Sequence, residues 1–299
     1  GASGGGGFTG PSGNRDVGGN NGEGVTAPQI HGSRSDGAMN IEGMKTNSLS
    51  ATGASRRFHP NQLAIQESVL ETGSQTAETE TGGVSTNLIL REGSNSIKGL
   101  GDFEYTNDSL QGSNLGDRLT SRGLTLSNAI QNIYSAGAGF GGPIKKDKVW
   151  FNSSVRFWGN REQLGGIFYN QEQFRGTPTY RADLNRPGET QAWVKDTTSR
   201  LTFQASEKNK ISGVFTVQQS CSCFNGISAT RAPETTIDFI IGPSYLTQIN
   251  WNRPQTNKLL FEAGFASRNA PVVNKRQPEV TPATIAMLNL TTGVQYGAL

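Results

Sequence analysis

Few residues in this chain are of the types that do chemistry. It has two histidines, His31 and His59, and two cysteines, Cys221 and Cys223. A zinc site needs three or four ligands at suitable spacing. Two isolated histidines beside Gly and Pro do not supply them, so no metal site is expected. Glu67, Glu71, Glu78 and Glu80 form an acidic series. They lack the alternating Asp/Asn-Gly loop of a calcium hand, and read as solvated acids or as partners of arginines elsewhere in the fold. The glycine runs 4–7 and 139–142 lack the strand-to-helix context and the Lys-Ser/Thr of a phosphate loop. No Ser-His-Asp or Cys-His set is legible. The chain reads as a non-enzyme without a cofactor.

The Cys-Ser-Cys at 221–223 admits three chemistries: a disulfide, free thiols or metal ligation. An i, i+2 pair on a strand points both side chains the same way. A Cα separation of about 6–7 Å would sit at the upper limit for a disulfide. A loop facing an oxidising exterior favours the bond. All three chemistries stay open at this point.

The elements that must position these residues are strands. Glycine supplies 39 of 299 residues, about twice the usual ~7%. Apolar residues make up 33%, and no run approaches the roughly 18 needed for a membrane-crossing helix. Net charge is +3, from 27 basic and 24 acidic residues, too even for the basic stripe of a nucleic-acid binder. Residues 1–24 hold eleven glycines and read as a mobile segment. Residues 29–43 read as two short strands around a Ser-Asp-Gly turn, with Gly37 supplying positive φ. Pro60-Asn61 is a helix start, and Ser68–Thr72 and Val84–Leu90 read as strands.

From Ile97 the texture becomes strict alternation, the period of a strand. Phe103 and Tyr105 oppose Asp102 and Glu104. Val149, Phe151, Val155 and Phe157 oppose Asn152, Ser154 and Arg156. Seven such strands are legible, near 97–105, 134–142, 149–158, 198–206, 211–219, 244–251 and 258–267. Short turns at 143–148, 207–210 and 252–257 join them at one end. Long segments at 107–132, 159–196 and 220–242 join them at the other. That asymmetry belongs to outer-membrane barrels. Trp150, Trp158 and Trp251 lie near strand ends and read as an interfacial girdle. Seven strands cannot close in lipid, because an open edge leaves backbone groups unpaired. The expectation is a barrel continued beyond this chain.

Three stretches resemble the TonB-dependent outer-membrane receptors, and within them the Oar-like branch. "IHGSRSDGAMNIEGM" (30–44) is similar to the plug hairpin that family members write I-R-G-x(n)-V-x-I-D-G. Here His31 stands for the common Arg and Glu42 for the common Asp. "ETETGGVSTNLILREGSNSIKG" (78–99) is similar to the end of the plug and the start of the barrel. "GFGGPIKKDKVWFNSSVRFW" (139–158) is similar to the first barrel hairpin.

The resemblance implies an α/β plug over 1–96, Gly-rich and mobile over 1–27, followed by antiparallel transmembrane barrel strands over 97–299. The family barrel has 22 strands, so about fifteen would lie beyond Leu299, and the energy-coupling box before Gly1. It further implies the outer membrane of a Gram-negative cell. The partners would be the TonB complex, outer-membrane lipid and an external substrate, with no nucleic acid. The alternative is an Oar-like surface adhesin or secretion-related barrel that moves no solute. Substrate contacts are expected in the long segments at Tyr169, Phe174, Tyr180 and Trp193, and in the plug hairpin at Arg34 and Asp36.

Overall fold

The computed structural model describes residues 37–46, 58–72, 84–112, 115–123, 126–175 and 177–299. The Gly-rich head, His31, Arg34, Asp36, Glu78 and Glu80 lie outside the described residues.

The first sheet is small. Strands β1 (Gly37–Ile41), β2 (Met44–Lys45), β3 (Ile65–Glu71) and β4 (Val84–Leu90) assemble in the order β2-β1-β4-β3. β1 and β4 run parallel, pairing Ala38 with Ser85 and Ile41 with Leu88. Alternation places Met39, Ile41, Leu88 and Leu90 in one apolar cluster with Phe58 and Ala64. The β1–β2 turn falls at Glu42-Gly43, both with positive φ; Ser35 and Asp36 of the expected turn lie outside the described residues. Gly37 is the first residue of β1. The helix expected after Pro60 is a single 3-10 turn, Gln62–Ala64, with Asn61 as its cap.

The second sheet is an antiparallel meander. Its strands are β5 (Lys98–Asn107), β6 (Ala129–Lys145), β7 (Val149–Asn170), β8 (Ala182–Ser206), β9 (Asn209–Asn225), β10 (Ile237–Thr256) and β11 (Leu259–Asn269). Each pairs with its neighbours in sequence. β12 (Val272–Arg276) extends the edge past β11 by pairing with Ile237–Ile241 of β10. Among the described residues β5 and β11 do not meet, so the sheet is open. A small hairpin, β13 (Met287–Leu288) with β14 (Gln295–Tyr296), ends the chain. The only α-helix described is one turn, Asp117–Thr120. No described helix is long and apolar enough to cross a membrane.

All seven wall strands are where alternation put them, but the strands are longer and the connections shorter. The segments 159–196 and 220–242 are mostly strand. The connections left are 171–181 and 226–236, together with 108–128.

The sheet is apolar outside and polar inside. Phe157, Leu201, Phe215 and Ile249 are 45–49% exposed. Their neighbours in sequence, Ser154, Arg156, Thr198, Arg200, Thr216 and Gln248, are buried. A water-soluble sheet buries the opposite set.

Candidate functional site

The buried face of the wall holds the small sheet, and the seat is mostly polar. Three sets of contacts build it.

The first is centred on Arg200 of β8. Its Nη1 donates to Glu42 Oε1 at 2.6 Å and to the Leu90 carbonyl at 3.0 Å, and its Nη2 donates to Glu92 Oε1 at 2.6 Å. Glu42 Oε1 also accepts from the Leu90 N–H at 2.7 Å. Lys210 Nζ holds the far oxygen of Glu92 at 2.9 Å. The hairpin turn at Glu42-Gly43 is thus what presents the carboxylate to the wall.

The second surrounds Asp196, which is 1% exposed. Asn61 Nδ2 donates to its Oδ1 at 2.9 Å and Gln218 Nε2 to its Oδ2 at 2.8 Å. Thr198 Oγ1 adds a third bond at 2.9 Å. Gln218 also clamps the His59 backbone, accepting from its N–H at 2.8 Å and donating to its carbonyl at 2.6 Å. Burial, and to a lesser degree the Arg268 guanidinium, push the His59 imidazole down to about 3. His59 is therefore neutral at physiological pH.

The third set lies toward β10 and β11. Gln248 Nε2 donates to the Ile41 carbonyl at 3.0 Å. Arg268 Nη1 donates to the Thr46 carbonyl. Val214 and Leu246 of the wall join the apolar cluster around Ile41 and Leu88.

Close approach needs small wall residues. A Cβ on Gly137 would sit 2.5 Å from Leu63 Cδ1 and 2.7 Å from the Val155 carbonyl. Gly137→Val is expected to cost about 1–3 kcal/mol of seating by overpacking. A fall in the denaturant midpoint of the small sheet, with the wall intact, is the measurement. An unchanged midpoint would show that Leu63 moves aside freely.

The loop end of the wall holds a second cluster. Tyr169 is the penultimate residue of β7, is buried, and carries the Arg186 guanidinium 4.1 Å above its ring. Tyr180 donates to the Phe168 carbonyl at 2.9 Å and packs 5.6 Å from Tyr296. Burial first, and the Glu234 charge second, push its phenol up to about 12. Phe174 is 72% exposed at the loop tip. Trp193 lies lower on β8, opposite Gly159 and Cys221, with Lys195 Nζ 5.1 Å over its ring. Tyr169 and Tyr180 are brought together, whereas Trp193 stands apart from them on the strand. Cys221 and Cys223 are bonded, with Cα atoms 5.4 Å apart. Asp238 approaches both sulfurs, but its Oδ1 accepts from Phe224 N–H and Gln277 Nε2.

The girdle reading of the tryptophans needs revision. Trp158 is buried under the Arg156 guanidinium, 4.7 Å away. Trp150 donates to Asn95 Oδ1 at 2.7 Å, which ties the segment after β4 to the first wall turn. The acidic series also shifts. Glu67 and Glu71 are exposed, and Glu42 and Glu92 are the carboxylates that meet wall cations. Their one sequence signal was Glu42 in the motif position where Asp is common.

A small mixed sheet seated by polar bonds inside an inverted antiparallel wall is the architecture of a plug against part of a β-barrel, here an open sheet. The comparisons agree. The chain is 33% identical over 129 residues to the TonB-dependent transporter Oar of Myxococcus xanthus, over 41% of this chain and 12% of that protein. The fold matches the crystal structure of the siderophore receptor PirA from Acinetobacter baumannii with a TM-score of 0.51 and 14% identity, over 86% of this chain and 34% of that one. The chain thus spans a small part of the curated relative. No protein-family profile matches it. The chain is thus similar to a TonB-dependent transporter in part of its sequence and to a siderophore receptor in its fold.

Proposed function

We propose that the chain is the plug (1–96) and opening wall (97–299) of a receptor in the Gram-negative outer membrane. It takes an external substrate, and TonB drives that substrate through the lumen. It is not an enzyme. The polar seat carries this reading. A neutral plug–wall hydrogen bond contributes a net of only about 0.5–1.5 kcal/mol and one to a charged group about 1.5–3 kcal/mol, because water replaces the lost partner. Such a seam can be opened bond by bond when the plug is pulled, and re-formed afterwards. An apolar core of equal area offers no such route. The outer membrane has no ion gradient of its own, so the pull must come from the inner membrane.

The outward band supports the membrane placement. Trp251 pairs with Ile211 and Trp193 with Cys221 of β9. The interval 221 − 211 is ten residues, within the roughly 9–11 of a crossing strand. Trp193 and Trp251 therefore form the interfacial pair on this part of the wall, with Lys195 beside the outer one. The turns face the periplasm. The loop end, with Tyr169, Tyr180 and the exposed Phe174, faces outward and meets substrate, together with Arg34 and Asp36 of the plug hairpin. The oxidising exterior suits a bonded Cys221–Cys223.

Deletion of TonB is the test. Uptake of the substrate is expected to stop while surface binding persists. Solute entry that continues without TonB would remove the energy-coupled reading. A protein that binds but never imports, with or without TonB, would be the adhesin.

A further inference from the structure

We propose that the loop-end cluster around Glu234 is a binding site for a hard divalent cation of the calcium type, held by Glu234, Glu279 and Gln173. Glu234 lies in the single 3-10 turn Pro233–Thr235 and is 1% exposed. Neither of its carboxyl oxygens accepts a hydrogen bond of regular geometry. Glu279 is half engaged. Its Oε1 accepts from Arg186 Nη2 at 2.7 Å, and its Oε2 is buried and unpaired. Gln173 anchors its amide nitrogen on the Gly297 carbonyl at 2.8 Å and the Glu279 carbonyl at 3.4 Å, and leaves its Oε1 buried and unpaired.

Four buried acceptor atoms there have no hydrogen bond of regular geometry: two on Glu234, one on Glu279 and one on Gln173, with the backbone N–H groups of Glu234, Asn170 and Gly297 lying toward the Glu234 carboxyl. The unpaired donor from the same segments is Asn170 Nδ2. Arg231 Nε is also unpaired, but that guanidinium is turned to Gly226 and the Thr235 carbonyl. These donors do not reach the buried oxygens of Glu279 and Gln173, and a cation shared with the Glu234 carboxyl can.

The electrostatics point the same way. Burial raises the Glu234 carboxyl above its usual range, and the Glu279 charge adds to the rise. The backbone N–H groups of Glu234, Asn170 and Gly297 lower it. A cation between the two carboxyls would relieve both the desolvation and the repulsion. The donor set is oxygen only, with no His or Cys, which selects calcium over zinc or copper. Water and backbone carbonyls would complete the six to eight ligands. With two carboxylates, one shared with Arg186, the affinity falls in the range of about 10⁻⁴–10⁻³ M typical of extracellular modules. The ion would tie the 171–181 connection, the 226–236 connection and the segment after β12 into one cap.

The experiment uses the complete receptor in detergent, stripped with a chelator and titrated with terbium, then with calcium as competitor. Tyr169, Tyr180 and Tyr296 lie beside the site and sensitise terbium emission. Saturable emission displaced by calcium is expected. Glu234→Gln should weaken calcium binding at least tenfold, Glu279→Gln less, and Glu207→Gln at the opposite end not at all. Barrel assembly of each variant is read from its heat-modifiable gel mobility. Partial recovery by Glu234→Asp is expected if an ion is held. Absence of saturable binding, or binding in Glu234→Gln equal to that of the parent, overturns the site. So does a Glu234→Gln protein that gains stability while calcium leaves the parent unchanged, since that marks a buried protonated acid. The titration involves neither TonB nor substrate, so its failure and a failure of the uptake reading are separate events.

Discussion

Replacing Arg200 by alanine is expected to loosen the plug by about 3–5 kcal/mol, the cost of removing one partner from a buried ion pair. Arg200 has a side chain only 6% exposed, and the Glu42 side chain is 12% exposed. Without the guanidinium, Glu42 keeps the Leu90 N–H but faces the wall with no cation. Glu92 suffers less, because Lys210 still reaches it. Most of the loss therefore comes from the stranded Glu42 carboxylate. Adding Glu42→Gln to an Arg200→Met protein should recover part of it, since no buried charge is then left alone. Limited proteolysis of the purified complete receptor reads the outcome. Plug cleavage should accelerate while the wall keeps its heat-modifiable mobility. Cleavage at the parental rate in Arg200→Ala would remove Arg200 from the seat.

Phe215→Arg tests the opposite face and should act on assembly. Phe215 is 48% exposed and stacks on Tyr245 across the strand pair, with centroids 6.3 Å apart. Thr216 and Val214, its neighbours in sequence, are buried on the plug side. If this band meets lipid, an arginine there costs about 2–4 kcal/mol near the midplane. The variant should be lost from the outer membrane and degraded. Val155→Arg, on the same face, should behave alike. Ser206→Arg, beside a turn, should be tolerated. Normal outer-membrane recovery of Phe215→Arg would mean that this face does not meet hydrocarbon.

Alternation made the wall legible, but only where both solvents act on it. In β7 the pattern is clean from Val149 to Trp158 and then stops, while the strand runs on to Asn170. Residues 159–163 are Gly-Asn-Arg-Glu-Gln, polar on both faces. The outward apolar band, not the strand, writes the apolar half of the period, so sequence reading ended β7 too early and made the loops too long. The turn at Glu42-Gly43 had little to mark it in the sequence beside the stronger turn chemistry of Ser35-Asp36-Gly37, whose first two residues lie outside the described ones. The seat itself was illegible. Asn61 and Asp196 are 135 residues apart, and Glu42 and Arg200 are 158 apart. Nothing local marks Gln218 or Gln248 as a partner for a backbone carbonyl. The loop-end cluster was half legible. Tyr169 and Tyr180 stood out as aromatic, whereas Glu234 and Glu279 carry no pattern until the fold buries them.

The spacing of those seat bonds sets an order in time. The plug leaves the ribosome first, yet its partners arrive late. Asn61 waits 93 residues for Ser154, Ile41 waits 207 for Gln248, and Thr46 waits 222 for Arg268. Contacts this distant are costly to close and form slowly. In a receptor of the proposed kind, the plug would therefore cross an aqueous compartment with its polar groups answered only by water, kept from pairing its strand edges with other chains. It docks when the wall up to β11 has been laid down. A segment that precedes the wall in the chain is then among the last to take its place.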